Sequence, residues 1–343
     1  RGLFAPFTLP PLLCRRAADH SFSTVSLNHS VNLEAFTVET ANIFDVKRFA
    51  VHDGPGIRTT FFLMGCPLRC LWCQNPESQR DVPVITFTTM KCIGCGKCAS
   101  VCGKLDRYLQ LPRSACRLCG ACVRACPTGA KQFGSRAYTP EEVLQAVLPE
   151  KIFFDESGGG VTFSGGECMV HSAFLEQTCR LLKAHGIRTV IDTCGAAPWS
   201  AFERVLPYAE LFLYDLKKMD PALHKAYTGM DNAQILENLK RLAEAGARLI
   251  IRVPLIPGCT DSEEDLQSIG AFLRDVLHNR IERCELLPYN KLAASKYGNK
   301  TIWSDVTLGD YPLPELEPQS KEKLARLKEI LLACGVPAYA ESL

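Results

Sequence analysis

From residue 43 onward, short β-branched and aromatic runs alternate with stretches whose apolar positions recur at helical spacing. The runs are TTFFLM at 59–64, VTFS at 161–164, RTVIDT at 188–193, LFLYDL at 211–216, RLIIRV at 248–253 and CELLPY at 284–289. Segments of this length and composition read as strands of a sheet covered on both faces. The helical stretches cover roughly 171–185, 198–206, 232–245, 261–278 and 320–333. Another opens at Thr139, with Pro140 at its first position and Glu142 placed to close a capping box. Six strands alternating with helices predict an α/β fold, a parallel sheet of βα units curved into a partial TIM-like (β/α)6 barrel.

Two segments break that rhythm. Residues 84–137 carry eight cysteines and little periodicity, so they read as a cluster-binding insertion between barrel segments 39–83 and 138–343. Within residues 1–38, the apolar stretch LFAPFTLPPLL at 3–13 is broken by three prolines, and Arg15, Arg16 and several serines follow, with Asp19 the one acid before Glu34. They read as an N-terminal extension, with an organelle transit peptide as the alternative.

Composition narrows the function classes. Hydrophobic residues make up 47% and charged residues 22% of the 343, which argues for a folded globular chain rather than disorder. No apolar run reaches the length of a membrane span. Thirty-nine Lys and Arg against 37 Asp and Glu leave no basic stripe for nucleic acid. The eighteen cysteines stand out, because eleven of them fall in three tight clusters between Cys66 and Cys126. In a chain this long, such crowding points to metal ligation in a reducing, cytoplasmic setting, or in an organelle if residues 1–38 are a transit peptide. Zinc is the competing occupant. The scattered Cys14, Cys168, Cys179, Cys194, Cys259, Cys284 and Cys334 read mostly as small buried hydrophobes.

The first cluster, GCPLRCLWCQNPES at 65–78, places Cys66, Cys70 and Cys73 in a C-x3-C-x2-C spacing directly after a strand. Three thiolates on one loop can hold three irons of a cubane and leave the fourth open, as a reactive metal requires. The second and third are CIGCGKCASVC, with Cys92, Cys95, Cys98 and Cys102, and CRLCGACVRACP, with Cys116, Cys119, Cys122 and Cys126. Both have the ferredoxin spacing in which the fourth cysteine of each run serves the other cluster. The expected sets are therefore Cys92, Cys95, Cys98 with Cys126, and Cys116, Cys119, Cys122 with Cys102. Gly103, rather than proline, follows Cys102. Clusters with four thiolates have no open iron, so their role is electron transfer or stapling of the insertion.

The segment VHDGPGIRTTFFLMGCPLRCLWCQNPES resembles the signature of glycyl radical enzyme activating enzymes, radical SAM proteins that include pyruvate formate-lyase activase. The two quartets further resemble the subgroup acting on glycerol or diol dehydratase, 4-hydroxyphenylacetate decarboxylase and choline lyase, and the resemblance runs from about residue 43 to the C-terminus. It implies a radical SAM barrel with a ferredoxin-like insertion, three 4Fe-4S clusters and S-adenosylmethionine. It also implies site residues. Ser164, Gly165, Gly166 and Glu167 of SGGE match a loop contacting the methionyl amino group, although Cys168 stands where many relatives have Pro or Ala. Asp192, Thr193 and Asp215 match positions lining the cofactor pocket, with room for a monovalent cation, and Lys217 matches a cofactor-contacting lysine. His224 and Arg252 also match the family pattern. Asp53 and Asn75 belong to loops expected beside the opening where the target glycine enters.

In the resembling family, reductive cleavage of S-adenosylmethionine gives methionine and a 5′-deoxyadenosyl radical, which takes a hydrogen from a glycine of a partner enzyme. A low-potential reductant such as flavodoxin or ferredoxin is the implied electron source. Two other readings remain open at the level of sequence: a radical SAM enzyme acting on another peptide or a small molecule, and an iron–sulfur electron-transfer protein that uses only the quartets.

Overall fold

A computed structural model describes residues 37–340, apart from 107, 293, 298–299, 302–310 and 314. The extension expected over 1–38 thus lies outside the described residues, save its last two. The strands, in chain order, are β1 (Ala41–Ala50), β2 (Arg58–Leu63), β3 (Ile85–Phe87), β4 (Lys131–Phe133), β5 (Arg136–Tyr138), β6 (Gly160–Gly165), β7 (Arg188–Thr193), β8 (Leu211–Asp215), β9 (Leu249–Leu255), β10 (Arg283–Pro288), β11 (Lys300–Thr301) and β12 (Ala338–Ala340). The main sheet runs β12-β10-β9-β8-β7-β6-β2-β1-β5. Its six central strands are the six expected from the sequence, all parallel.

Three further strands extend this sheet. β12 adds in parallel beside β10, whereas β1 and β5 lie antiparallel at the other edge. β1 breaks the two-residue alternation with register shifts at Ile43/Asp45 and Lys47/Ala50, and this bulging hides it from a pattern reading. β12, at three residues, is too short to show a period.

The alternation of the central strands separates two environments. Phe61, Phe163, Ile191, Phe212, Tyr214, Ile251 and Val253 point outward into the main core, where helices such as Ser172–Ala184 and Ala233–Glu244 cover them. Val190, Leu211, Leu213 and Ile250 form a separate cluster on the opposite face. On that face the next residue toward each strand's C-terminal end is polar: Asp192 after Val190, Asp215 after Leu213, Arg252 after Ile250. The inner face is thus apolar at mid-strand and charged at the C-terminal ends, where sites of such barrels lie.

Residues 51–57 fill this interior from the N-terminal ends of the strands. The carboxylate of Asp53 accepts from Thr60 Oγ1 on β2 at 2.7 Å, and its carbonyl accepts from Thr162 Oγ1 on β6 at 2.7 Å. The neighbouring His52 carbonyl accepts from the Arg252 guanidinium on β9. β2 and β9 are four steps apart in the sheet, about 19 Å if it were flat. Their meeting through one loop requires strong curvature. Gly56 has φ +71°, and a Cβ there would lie 2.5 Å from the Gly159 nitrogen, so glycine is required.

The helix Pro140–Val147 starts as its sequence predicts. Thr139 accepts from the Glu142 N–H at 3.2 Å, and the Glu142 carboxylate accepts from the Thr139 N–H at 2.9 Å. Between β2 and β5, the chain builds a second small core around Ile85, Phe87, Leu111, Cys98 and Cys122. There β3 pairs antiparallel with both β4 and β11. The two cysteine runs fold alike: each enters through a 3-10 turn and then places a left-handed glycine, Gly96 or Gly120, before a short helix. Among the described residues no helix is long and apolar enough to cross a membrane.

Candidate active site

A cavity of about 280 Å³ opens at the C-terminal ends of the central strands. Cys66, Cys70 and Cys73 line one side. Their loop is pinned by backbone bonds from Gly65 N to Ser78 O (2.6 Å), Arg69 N to Thr228 O (2.7 Å) and Leu71 N to Tyr227 O (3.0 Å). Trp72, 4% exposed, packs edge-on against Tyr227 at 6.2 Å. A short C-terminal segment braces the same loop: Tyr297 Oη donates to the Cys73 carbonyl at 3.2 Å, and Lys296 Nζ donates to Asn75 Oδ1 at 2.6 Å.

Opposite lie the strand ends. Ser164, Gly165, Gly166, Asp192, Thr193, Asp215, Lys217, Arg252 and Asn75 all line the cavity. Gly165, at φ +118°, has no room for a Cβ, which would sit 2.3 Å from the Leu63 nitrogen, so β6 can turn here only on glycine. Ser164 Oγ donates to Asp192 Oδ2 at 2.6 Å, and Arg252 reaches Asp192 at 3.5 Å and Glu285 at 3.3 Å. Burial pushes the Asp192 carboxyl up to about 6, against the opposing pull of Arg252. Lys217 Nζ donates to Asp215 at 2.6 Å. Burial disfavours this ammonium, but Asp215, with help from the sulfurs of Cys70 and Cys194, holds it above the ordinary lysine range.

Three expected residues sit elsewhere. Glu167 is fully buried behind the wall, where its carboxylate accepts from Met169 N (3.0 Å), Thr193 Oγ1 (2.7 Å) and Cys194 N (2.8 Å). It joins the SGGE turn to the end of β7 and does not line the cavity. His224 does not line it either: 1% exposed, its ring bonds the Met230 carbonyl through Nδ1 at 2.6 Å, and burial lowers its pKa. Asp53, expected beside the entrance, is placed beneath the site, because its loop precedes β2 and enters from the strands' N-terminal ends.

The scattered cysteines divide. Cys168, Cys179 and Cys284 are buried and Cys259 and Cys334 half-buried, while Cys14 lies outside the described residues. Cys194 is different, since it lines the cavity together with Cys66. Hydrogen bonding from Cys194, above all, draws the Cys66 thiol down, whereas burial pushes Cys70 up to about 12 and raises Cys73. Only the strand-end position of the IDTCG segment could have marked Cys194 in advance.

Eight cysteines remain, and they line two further cavities. Cys102, Cys116, Cys119 and Cys122 line one of about 290 Å³; Cys92, Cys95, Cys98 and Cys126 line one of about 20 Å³. Each cavity draws three cysteines from one run and the fourth from the other. Among the described residues no cysteine is in a disulfide, and no three His, Cys, Asp or Glu side chains gather tightly enough for a single metal ion. The cysteine sets surround volumes instead, and only the larger is open to more than about one water. Buried thiols give up their protons when iron takes their place.

A curved parallel sheet carrying a three-cysteine loop and a glycine turn at its C-terminal ends defines a class, and residues 61–268 match the radical SAM superfamily. The chain belongs to that superfamily, whose members hold a 4Fe-4S cluster and S-adenosylmethionine. Within it, curated relatives of this chain are activating enzymes. The chain is 38% identical over 270 residues to the isethionate sulfite-lyase activating enzyme of Oleidesulfovibrio alaskensis, covering 75% of this chain and 86% of the relative. It is 36% identical over 315 residues to the indoleacetate decarboxylase activating enzyme of Tractidigestivibacter scatoligenes, covering 86% and 96%. Streptococcus suis SuiB bound to precursor peptide SuiA shares the fold, with a TM-score of 0.50 at 13% identity over 81% of this chain and 47% of that one.

Proposed function

We propose that this chain activates a glycyl radical enzyme, using S-adenosylmethionine to take one hydrogen atom from a glycine of that partner. The observation that carries the reading is the convergence of Cys66, Cys70 and Cys73 with the ends of β6, β7, β8 and β9 around one cavity. Cys66, Cys70 and Cys73 would hold the reactive cluster and leave one iron for the methionyl group. The bound cofactors supply the chemistry, one-electron cleavage of the S–C5′ bond to methionine and a 5′-deoxyadenosyl radical.

The chain's own residues orient and enclose. The backbone of Ser164, Gly165 and Gly166 offers close approach to an amino acid moiety, and Lys217 presents a permanent positive charge already balanced by Asp215. Asp192 and Thr193 offer oxygens to the nucleoside side or to a monovalent cation. Arg252 holds Asp192 in place and Glu167 fixes the turn from behind, so both act as positioning residues. Asn75 donates to the Gly165 carbonyl at 3.2 Å and shapes the mouth toward an incoming peptide loop.

In the same reading, the insertion is ferredoxin-like and spans about residues 84–137. Its two cysteine sets hold two further 4Fe-4S clusters, crosswise, and pass electrons from a low-potential donor such as a flavodoxin or ferredoxin.

The test is anaerobic reconstitution followed by reduction with S-adenosylmethionine and candidate glycyl radical enzymes. Expected are 5′-deoxyadenosine and a protein-centred glycyl doublet in the EPR spectrum. Formation of 5′-deoxyadenosine without a doublet for any such partner refutes activation and leaves a radical SAM enzyme with another substrate.

A further inference from the structure

Lys131, the first residue of β4, is 1% exposed. Its ammonium donates to the Leu109 carbonyl at 2.7 Å and lies 4.3 Å from the centre of the Phe87 ring. Among the described residues no carboxylate pairs with it. Burying an ammonium without a counter-charge costs several kcal/mol, and one carbonyl and one ring face do not offset that. The groups that answer its charge are sulfurs, those of Cys98, Cys122, Cys92 and Cys126. Three of these belong to the set Cys92, Cys95, Cys98 and Cys126, whose cavity Lys131 lines, and Cys122 belongs to the other set. Burial lowers the lysine's pKa, and the four sulfurs act to raise it.

We propose that Lys131 is the shared counter-charge of the two clusters in the insertion, a positioning residue whose fixed positive charge raises both of their reduction potentials. The inference rests on the reading that the two cysteine sets hold 4Fe-4S clusters. A cubane with four thiolates is already an anion when oxidised and gains another negative charge on reduction. A cation buried within electrostatic reach of both centres therefore favours the reduced form of each, and the low local dielectric keeps that effect from being screened. Methionine in its place keeps the length and apolar bulk without the charge, whereas arginine keeps the charge.

The experiment uses the full chain carrying Cys70→Ala, which leaves only the insertion's clusters to be observed. After anaerobic reconstitution, iron and sulfide are counted, and the clusters are titrated potentiometrically by EPR in this parent and with Lys131→Met or Lys131→Arg. Expected for Lys131→Met is about a tenfold lower ratio of reduced to oxidised cluster at a fixed potential, about 59 mV for a one-electron couple, with Lys131→Arg close to the parent. Loss of iron in Lys131→Met but not in Lys131→Arg also supports the proposal, because the charge is then needed to hold the anions at all. Full iron with unchanged midpoints in Lys131→Met overturns it, as does equal loss of iron in both variants, which would make Lys131 a matter of shape. A parent that takes up no cluster iron overturns the cluster reading and the proposal with it, and is seen before either variant is compared.

Discussion

Asp192 offers a prediction whose sign can be worked out from the structure. Its carboxyl is raised by burial from the ordinary 3.8 to about 6, so between those values the folded chain holds a proton that the unfolded chain has released. Stability from this group is fully present below about pH 4 and is lost as the pH rises through about 6. Integrated from pH 5 to pH 8, the loss is about 1.4 kcal/mol. Asp192→Asn abolishes this dependence, because an amide cannot ionise, yet it keeps an oxygen able to accept from Ser164 Oγ. Arg252 stays charged over the whole range and retains Glu285, so removal of its second partner adds an offset that does not vary with pH. The assay is urea unfolding of the cofactor-free, reduced protein at pH 5 and pH 8. The wild type should lose about 1.4 kcal/mol more than Asp192→Asn between the two, while the variant, once loaded, should cleave S-adenosylmethionine poorly. A difference between wild type and variant that is the same at both pH values would refute the placement of a carboxylate shielded from water at the end of β7.

Other substitutions probe separate parts of the argument. Cys70→Ala should remove about four of about twelve irons and abolish 5′-deoxyadenosine formation, measured by iron assay and chromatography. Glu167→Gln keeps the size of a side chain that accepts three hydrogen bonds but turns one oxygen into a donor, leaving a buried N–H or O–H unpaired. The expected cost is about 1–3 kcal/mol in chemical denaturation, with cofactor affinity falling as the SGGE turn loosens. Thr139→Ala should cost about 1 kcal/mol by loss of the capping box, without changing the activity per folded molecule.

The fold was legible wherever burial imposes a period. The six central strands are covered on both faces or filled from within, so their apolar runs stood out, and the Thr139-Pro140-Glu142 start declared its helix. β1 was hidden by its bulges. The cavity's cysteine triplet and glycine turn were visible as spacing, but the path of residues 51–57 was not, because a polar Gly-Pro loop looks the same whether it lies on the surface or plugs a barrel. His224 illustrates the opposite error: it matches a family pattern, yet its ring is spent on a backbone carbonyl. Lys131 gave no local signal and Cys194 only its place at a strand end, since each acquires its meaning from neighbours distant in sequence.

The loop that climbs to Arg252 also makes the chamber blind at its lower end. Among the described residues, that leaves the C-terminal rim of the strands as the way in. If a partner docks over that rim, as the proposed function requires, a small cosubstrate has to be seated first, and spent fragments leave once the partner lifts away. In that reading turnover is ordered by architecture, and a reactive species formed inside meets the partner's backbone before it meets water.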